Sequence, residues 1–300
     1  MEEVLVSVVI PTYNRADDLK RALNSIIHQT HRNWEILIVD NSSVDHTDDI
    51  VKSFDDPRIR LFKVHNQGVV AVSRNLGIQR AKGKYIALLD SDDWWAPEKL
   101  ETSVYFLESK NFDLVYHDLY KVKSLFQHFY WKRERTRKLK PPIFQDLIIN
   151  GNGINNSSVV VRKSIIDQVG SLDEEADLVA GEDYDFWLRI SRITDKFYRI
   201  PRPLGYYWIG GGNLSNPKRT LNVLRILQSK YQSDFDKYVL NENRTPWWFY
   251  KTRFLVHLSQ GNLEDAKNEV SFLKAASWRV KWKYVALFQF KSLFSFLWFK

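Results

Sequence analysis

The sequence predicts an α/β fold, a mainly parallel sheet with helices on both faces, followed by a helical C-terminal region. Strand-like and helix-like runs alternate through the first half, which is the pattern of parallel sheets built from crossover units. The strand-like runs are apolar and β-branched, as in Val6 to Ile10. From Thr220 onward the spacing is helical and rich in aromatics.

In chain order, Val4 to Ile10 reads as the first strand. Arg15 to Gln29 has helical spacing at Leu19, Ala22, Leu23, Ile26 and Ile27, with Asn14 as its cap and Asp17 and Asp18 in its first turn. Glu35 to Val39 is the second strand, and Asn41, Ser42 and Ser43 turn out of it. A short helix covers Thr47 to Phe54, and Ile59 to Val64 is the third strand. Val69 to Ala81 is a helix with Gly83 as its stop, and Tyr85 to Leu89 is the fourth strand. Pro97 sits where a first helical position would be, and that helix runs to Lys110. Leu114 to His117 is a further strand. Residues 119–142 have no clean period and read as a mobile basic and aromatic insertion. Asn156 to Arg162 resumes a strand, Glu182 to Ile193 is a helix, and Tyr198 to Pro201 and Gly205 to Ile209 are two short strands before a flexible run at Gly210 to Gly212. Trp247 to Ala276 suggests two helices joined near Gly261 and Asn262, with Leu255, Leu258, Leu263 and Ala266 facing one another. The division expected is a catalytic domain over 1–215 and a helical, aromatic and basic region over 216–300.

A chain of 300 residues buries enough surface to fold without covalent staples. It contains no cysteine, which excludes a disulfide framework and any thiolate metal site. The start, MEEVLVSVVI, carries two acids and no base, unlike a secretory signal. No stretch reaches the ~18 uncharged apolar residues of a membrane span. The expected location is therefore the cytoplasm.

Charge is unevenly spread. Lys121 to Lys140 holds eight bases against Glu134 alone, and Trp278 to Lys300 holds five bases and no acid. Subtracting both from the net +8 leaves the remaining body at −4. Two basic attachments on an acidic body suggest a polyanionic surface as partner. Trp278 to Lys300 also carries nine aromatics, the composition of an interfacial anchor on an anionic membrane; a helix packed on the protein is the alternative.

In sheets of this kind ligands bind beyond the carboxyl ends of the strands. That rule selects Pro11 to Asn14, Asp40, and Asp90 to Asp93. Asp90, Ser91, Asp92 and Asp93 follow the apolar run YIALL directly. Carboxylates this close repel one another unless a cation sits among them, and Mg²⁺ or Mn²⁺ would suit their oxygens. Such a metal could stabilise a departing nucleoside diphosphate. A solvated acidic turn is the plainer alternative. Asp40 could accept a hydrogen bond from a pyrimidine or ribose, or could simply cap the next helix. Tyr13 could stack on a base, and Arg74 could reach a base or phosphate. Glu182 and Asp183 open a helix, where acids are favoured electrostatically in any case. The functional reading is a general base, Asp183 first and Glu182 second, with Asp185 structural. Trp94 and Trp95 could stack on a sugar, one of them packing in the core.

Together these segments resemble glycosyltransferase family 2, the inverting GT-A enzymes, whose catalytic fold is Rossmann-like. The resemblance rests on VSVVIPTYNR (Val6 to Arg15), EILIVDNSSVDHT (Glu35 to Thr47), SRNLGIQRAKGKYIALLDSDDWWAPEKL (Ser73 to Leu100), GSLDE (Gly170 to Glu174) and GEDYDFWLRI (Gly181 to Ile190). It implies that Pro11, Thr12, Tyr13 and Asp40 hold the nucleoside, most often uridine, with Arg74 helping at the base. Asp90 and Asp92 would form the DxD pair, Asp90 toward ribose or metal and Asp92 on the metal; Asp93 would lie near the donor sugar, Ser91 would belong to the donor-binding set, and Asp183 would be the base, beside Glu182. The reaction implied is a single displacement at the anomeric carbon, assisted by Mn²⁺ or Mg²⁺. The acceptor would be a hydroxyl of a glycan or lipid-linked glycan, in surface polysaccharide or glycolipid assembly. No Gln-x-x-Arg-Trp segment follows Asp183, which argues for adding one sugar or a few. A sugar-nucleotide nucleotidyltransferase is disfavoured, because PTYNRADDL lacks the glycines of a phosphate loop. A non-catalytic basic nucleic-acid-binding protein fits the pI near 9.4 but not the acidic body, so no nucleic-acid partner is expected.

Overall fold

The structure is a computed structural model and describes residues 4–124, 132–211, 216–241 and 243–272. Its elements in chain order are β1 (Val6–Thr12), α1 (Ala16–Ile27), β2 (Trp34–Asp40), α2 (Thr47–Lys52), β3 (Ile59–Lys63), α3 (Val70–Arg80), β4 (Tyr85–Leu88), β5 (Trp94–Trp95), α4 (Lys99–Ser109), β6 (Leu114–Val122), β7 (Arg133–Glu134), α5 (Ile143–Asn150), β8 (Val160–Arg162), α6 (Lys163–Val169), α7 (Glu182–Ser191), β9 (Phe197–Trp208), α8 (Pro217–Tyr238), α9 (Trp247–Gln260) and α10 (Leu263–Phe272). Two compact units result: residues 1–144 with 153–213, and residues 145–152 with 214–300.

Among the described residues of the first unit the strands form one nine-stranded sheet, ordered β3-β2-β1-β4-β8-β6-β9-β5, with β7 on β6. β3, β2, β1 and β4 are parallel. β8 is antiparallel to both β4 and β6, so β6 and its parallel neighbour β9 point the same way as β1 and β4. The sheet is thus mostly parallel with antiparallel insertions, and helices cover both faces. Val6, Val8 and Ile10 of β1 pack in one core with Leu19, Leu23 and Ile26 of α1 and Leu100 and Leu107 of α4. The alternate residue Val9 faces α3, where a Cβ on Gly77 would lie 2.5 Å from Val9 Cγ1, so only glycine allows this approach.

Packing, more than capping, stabilises α1. Asn14 is not its cap: its φ is +49°, and its side-chain oxygen accepts from the Val44 N–H at 2.8 Å. The Ala16 N–H instead donates to Asp45 at 2.9 Å, and Asp45 also accepts from the Thr47 N–H and hydroxyl. A cap contributes ~1 kcal/mol, whereas each fully buried Leu or Ile contributes roughly 1.5–3 kcal/mol.

Several sequence expectations need correcting. Gly83 does not stop α3, which ends at Ala81 in extended backbone; glycine is needed because a Cβ there would meet the Ser7 N and Leu5 O at 2.7 and 2.8 Å. Helix α4 begins at Lys99, two residues after Pro97. The expected strand from Asn156 opens with a 3-10 turn, Asn156–Ser158, and only Val160–Arg162 is strand. The insertion is not structureless from residue 119. β6 continues to Val122, and β7 pairs with it. Asp118, which looks like a strand terminator, is buried and held by the Arg199 guanidinium at 2.7 Å and by Thr136. The two short strands near residue 200 are one, β9. Pro201 falls in the register break between the pairs His117↔Ile200 and Asp118↔Pro203, where no ladder donor is required. Residues 125–131 of the expected insertion lie outside the described residues.

The helical unit is simpler. Asn216 caps α8 by accepting from the Arg219 N–H at 3.0 Å, with Pro217 at the first position. α9 and α10 form a hairpin whose left-handed Gly261 (φ +79°) makes the turn. Tyr250, Phe254, Leu258 and Ala266 form its core with Leu263. Leu255, expected in that core, is 39% exposed. No helix among the described residues is long and apolar enough to cross a membrane.

One buried cation stands out. Lys99 is fully buried, its ammonium has no hydrogen-bond partner, and it sits 3.5 Å from the centre of the Trp95 ring. Burial holds its pKa well below the ordinary lysine value. Burial first, and Lys99 second, push the equally buried His117 down to about 3. The folded chain holds the Lys99 proton more weakly than the unfolded one, so stability should rise with pH towards the unfolded lysine value. Lys99→Met should raise stability at pH 7 by about 1–3 kcal/mol, the scale of an unpaired buried polar group. The gain should shrink by pH 10, as read by urea unfolding at both pH values.

Candidate active site

The carboxyl ends of β1, β2 and β4 lie on one edge of the sheet, and the expected site residues gather there. Thr12 and Asp40 are register partners at the ends of β1 and β2. Pro11 and Thr12 are buried, the Thr12 hydroxyl has no hydrogen-bond partner, and Tyr13 is 54% exposed. Asp40 is fully buried; its carboxylate accepts from the Ser43 N–H at 3.1 Å, from the Ser43 hydroxyl, and from the Lys63 ammonium at 2.6 Å. The two loops are tied together, since the Asn14 N–H donates to the Ser43 hydroxyl at 2.8 Å.

Beyond β4 the acid cluster is held by cations that the sequence did not reveal as partners. Arg15 donates to Asp92 at 2.6 Å, and Arg21 donates to the Asp92 carbonyl at 2.8 Å. Burial, then the Asp90 charge, push the Asp92 carboxyl up to about 6 against the pull of Arg15. Asp93 is 1% exposed and accepts from the Trp208 N–H at 2.9 Å. Burial, followed by Asp92 and Asp90, raises it well above the usual carboxylate range. Ser91 is buried between them. Trp95 is the core tryptophan, its indole N–H donating to the Ser157 carbonyl at 2.7 Å. Trp94 stacks on Tyr206 with centroids 5.1 Å apart.

Arg74 joins this cluster to the start of α7. Its guanidinium donates to Asp90 at 2.7 Å and also to Glu182, which lies 108 residues away in sequence. Asn156 adds a second donor to the same Asp90 oxygen at 3.1 Å. Burial works against the charge on Arg74, but Asp90 and Glu182 hold it above the ordinary guanidinium range. Asp183, next to Glu182, is not salt-bridged. Burial and then the Glu182 charge push its carboxyl up to about 7, opposed by Arg74. A carboxyl that titrates near neutrality beside an acid cluster is suited to accept a proton. Asp185 accepts from the Arg189 guanidinium at 2.8 Å, an ion pair within α7.

The cluster fits a hard divalent ion in one specific way. Among the described residues no three His, Cys, Asp or Glu side chains converge to hold a metal by themselves. Mg²⁺ and Mn²⁺ at nucleotide sites commonly take one or two carboxylates, with phosphate oxygens and water completing the shell. Asp90 and Asp92 supply that number. A buried Asp93 oxygen without a partner lies beside them.

A family model described as glycosyl transferase family 2 matches residues 7–170. A UDP-Glc:alpha-D-GlcNAc-diphosphoundecaprenol beta-1,3-glucosyltransferase, WfaP of Escherichia coli, is 30% identical over 231 residues, 75% of this chain and 88% of its own length. An uncharacterized glycosyltransferase of Rickettsia felis is 30% identical over 80% of this chain, which spans only 40% of that relative. Among solved structures, a mannosyltransferase of Pyrobaculum calidifontis in complex with GDP-Man and Mn²⁺ superimposes with a TM-score of 0.58 at 16% identity, covering 96% of this chain and 80% of its own, a likeness of fold. With the motifs lying at the carboxyl edge of a sheet of this type, the chain belongs to glycosyl transferase family 2.

Proposed function

We propose that this chain transfers a sugar, with inversion, from a UDP-sugar to a hydroxyl of a lipid-linked glycan, on the cytoplasmic face of a membrane, in surface polysaccharide or glycolipid assembly. The observation that carries the reading is the Arg74 bridge, which joins Glu182, the chain neighbour of Asp183, to Asp90 of the acid cluster. The donor and acceptor classes are those named for the Escherichia coli relative. The basic aromatic tail, Trp278 to Lys300, is the first membrane contact this reading invokes, and it lies outside the described residues.

In this reading Thr12, Tyr13 and Asp40 flank the nucleoside. Arg74, 4% exposed, acts on the nucleotide through the carboxylates it holds. Asp90 and Asp92 would hold a divalent cation, Mn²⁺ or Mg²⁺, which would supply charge to stabilise the departing diphosphate. Asp183 takes the proton of the acceptor hydroxyl as that oxygen bonds to the anomeric carbon, and the bond from that carbon to the diphosphate oxygen breaks. No acid need protonate the leaving group, unlike in glycosidases.

Ligand linkage tests the donor half directly. Mn²⁺ with UDP should raise the melting temperature by mass action. Asp92→Asn should lose the metal-dependent part of that rise. A wild-type protein whose melting is unmoved by Mn²⁺ with each of a panel of nucleoside diphosphates would overturn the reading.

A further inference from the structure

The longest strands, β6 and β9, run past the level of Asp90. Ala87 of β4 and Val115 of β6 both pair with Val160, so they are level across the sheet. From there β6 runs on to Val122, about 23 Å at ~3.3 Å per residue, and β9 accompanies it to Trp208. Asp90 is only three residues beyond Ala87. The acid cluster therefore runs along the β6–β9 ribbon from the level of about Asp118 to its end, where Asp93 meets Trp208.

This ribbon borders the site. The Trp208 N–H holds Asp93, and the segment leaving the cluster pairs back onto it as Trp94↔Tyr206. The Tyr207 hydroxyl is raised by burial and then by the Asp93 and Asp90 charges. β7 extends the ribbon on its other edge, with the Lys121 N–H donating to the Lys132 carbonyl at 2.8 Å. Lys132, Arg133 and Arg135, on or next to β7, are exposed. Glu134 is bound to Lys121 at 2.5 Å.

From this arrangement we infer that the basic end of β6 and β7 docks on an anionic membrane surface, setting the acid cluster against an acceptor carried by that membrane. The inference rests on the reading of a lipid-borne acceptor. The exposed cations are drawn to a plane of negative charge. The repulsion of the neighbouring acids is offset by Arg15 and Arg74, which pair with Asp92 and Asp90. Nucleic acid is the less suited polyanion. The rings nearby, Trp94, Tyr206 and Tyr120, stack on one another and offer no free platform for bases.

The test is co-sedimentation of the full chain with vesicles of phosphatidylcholine, with and without phosphatidylglycerol. The wild type should partition onto the anionic vesicles only, less so as salt is raised, and excess inorganic pyrophosphate should leave binding in place. K132Q/R133Q/R135Q should lose at least about tenfold in partitioning while keeping its melting shift with Mn²⁺ and UDP, which also reports that it is folded. Equal partitioning of the variant, equal binding to neutral vesicles, displacement by pyrophosphate, or a loss confined to oligonucleotide binding would each overturn the inference. Vesicle binding as expected with no nucleotide shift in the wild type would instead remove the donor reading and leave docking standing.

Discussion

Asp183→Asn should lower the transfer rate by about 10²–10⁴-fold, the usual contribution of a positioned general base, and leave the Mn²⁺–UDP melting shift intact. The two readouts separate because Asp183 stands beside the acid cluster and not within it. Asn has the same shape and cannot take the proton. The wild type should also carry an acid limb in kcat/KM: with the Asp183 carboxyl held up to about 7, the competent ionised form fills as pH rises through neutrality. The same shift has a stability consequence of opposite sense. The unfolded chain ionises this group near the ordinary aspartate value of 3.8, so between there and about 7 the folded state binds the extra proton. Stability therefore falls as pH rises through that window, and the full penalty is present above it. Asp183→Asn should accordingly melt above the wild type at pH 8, with the difference vanishing near pH 4. A variant that transfers sugar normally, or that melts below the wild type at pH 8, would remove Asp183 from the role of base.

What the sequence revealed follows from how each signal arises. Continuous apolar runs such as Val6 to Ile10 can only be buried, so β1, β2 and β4 were legible, and so was the acid cluster at the end of one of them. β6 and β9 were cut short because Asp118 and Pro201 carry terminating local signals. Each is compensated by a partner distant in the chain: Arg199 for Asp118, and a register break for Pro201. The same blindness hid the cations of the site. Arg15 and Arg21 look like ordinary residues at the start of a helix, and nothing local shows that both reach Asp92, 77 and 71 residues on. Lys99 was hidden for the opposite reason. A lysine in the first turn after a proline reads as solvated, and only the tertiary packing of Trp95 over it makes it buried. Periodicity reports which face is apolar. It does not report which polar groups meet across the edge of the sheet, and there the site is assembled.

Arg74→Met should be the most destabilising change at this site, about 3–5 kcal/mol by urea unfolding, the scale for removing one partner of a buried ion pair. Two acids lose their counter-charge at once. Glu182 is only 5% exposed by side chain and would carry most of the penalty, whereas Asp90, at 34%, can recruit water, which places the expectation towards the lower end. Arg74→Lys should recover only part, because a single ammonium cannot span two carboxylates as the planar fork does. Arg74→Met with Glu182→Gln should be more stable than Arg74→Met alone, since the stranded buried charge is then gone. That ordering distinguishes electrostatic loss from a simple cavity, which the second substitution would not relieve. The functional consequence runs the same way. With the bridge cut, Asp183 loses the Arg74 charge that opposes its elevated pKa, so any transfer that survives should need a higher pH than in the wild type. An Arg74→Met protein with the wild-type unfolding midpoint and an unmoved acid limb would show that the two halves of the site are aligned by something other than this guanidinium.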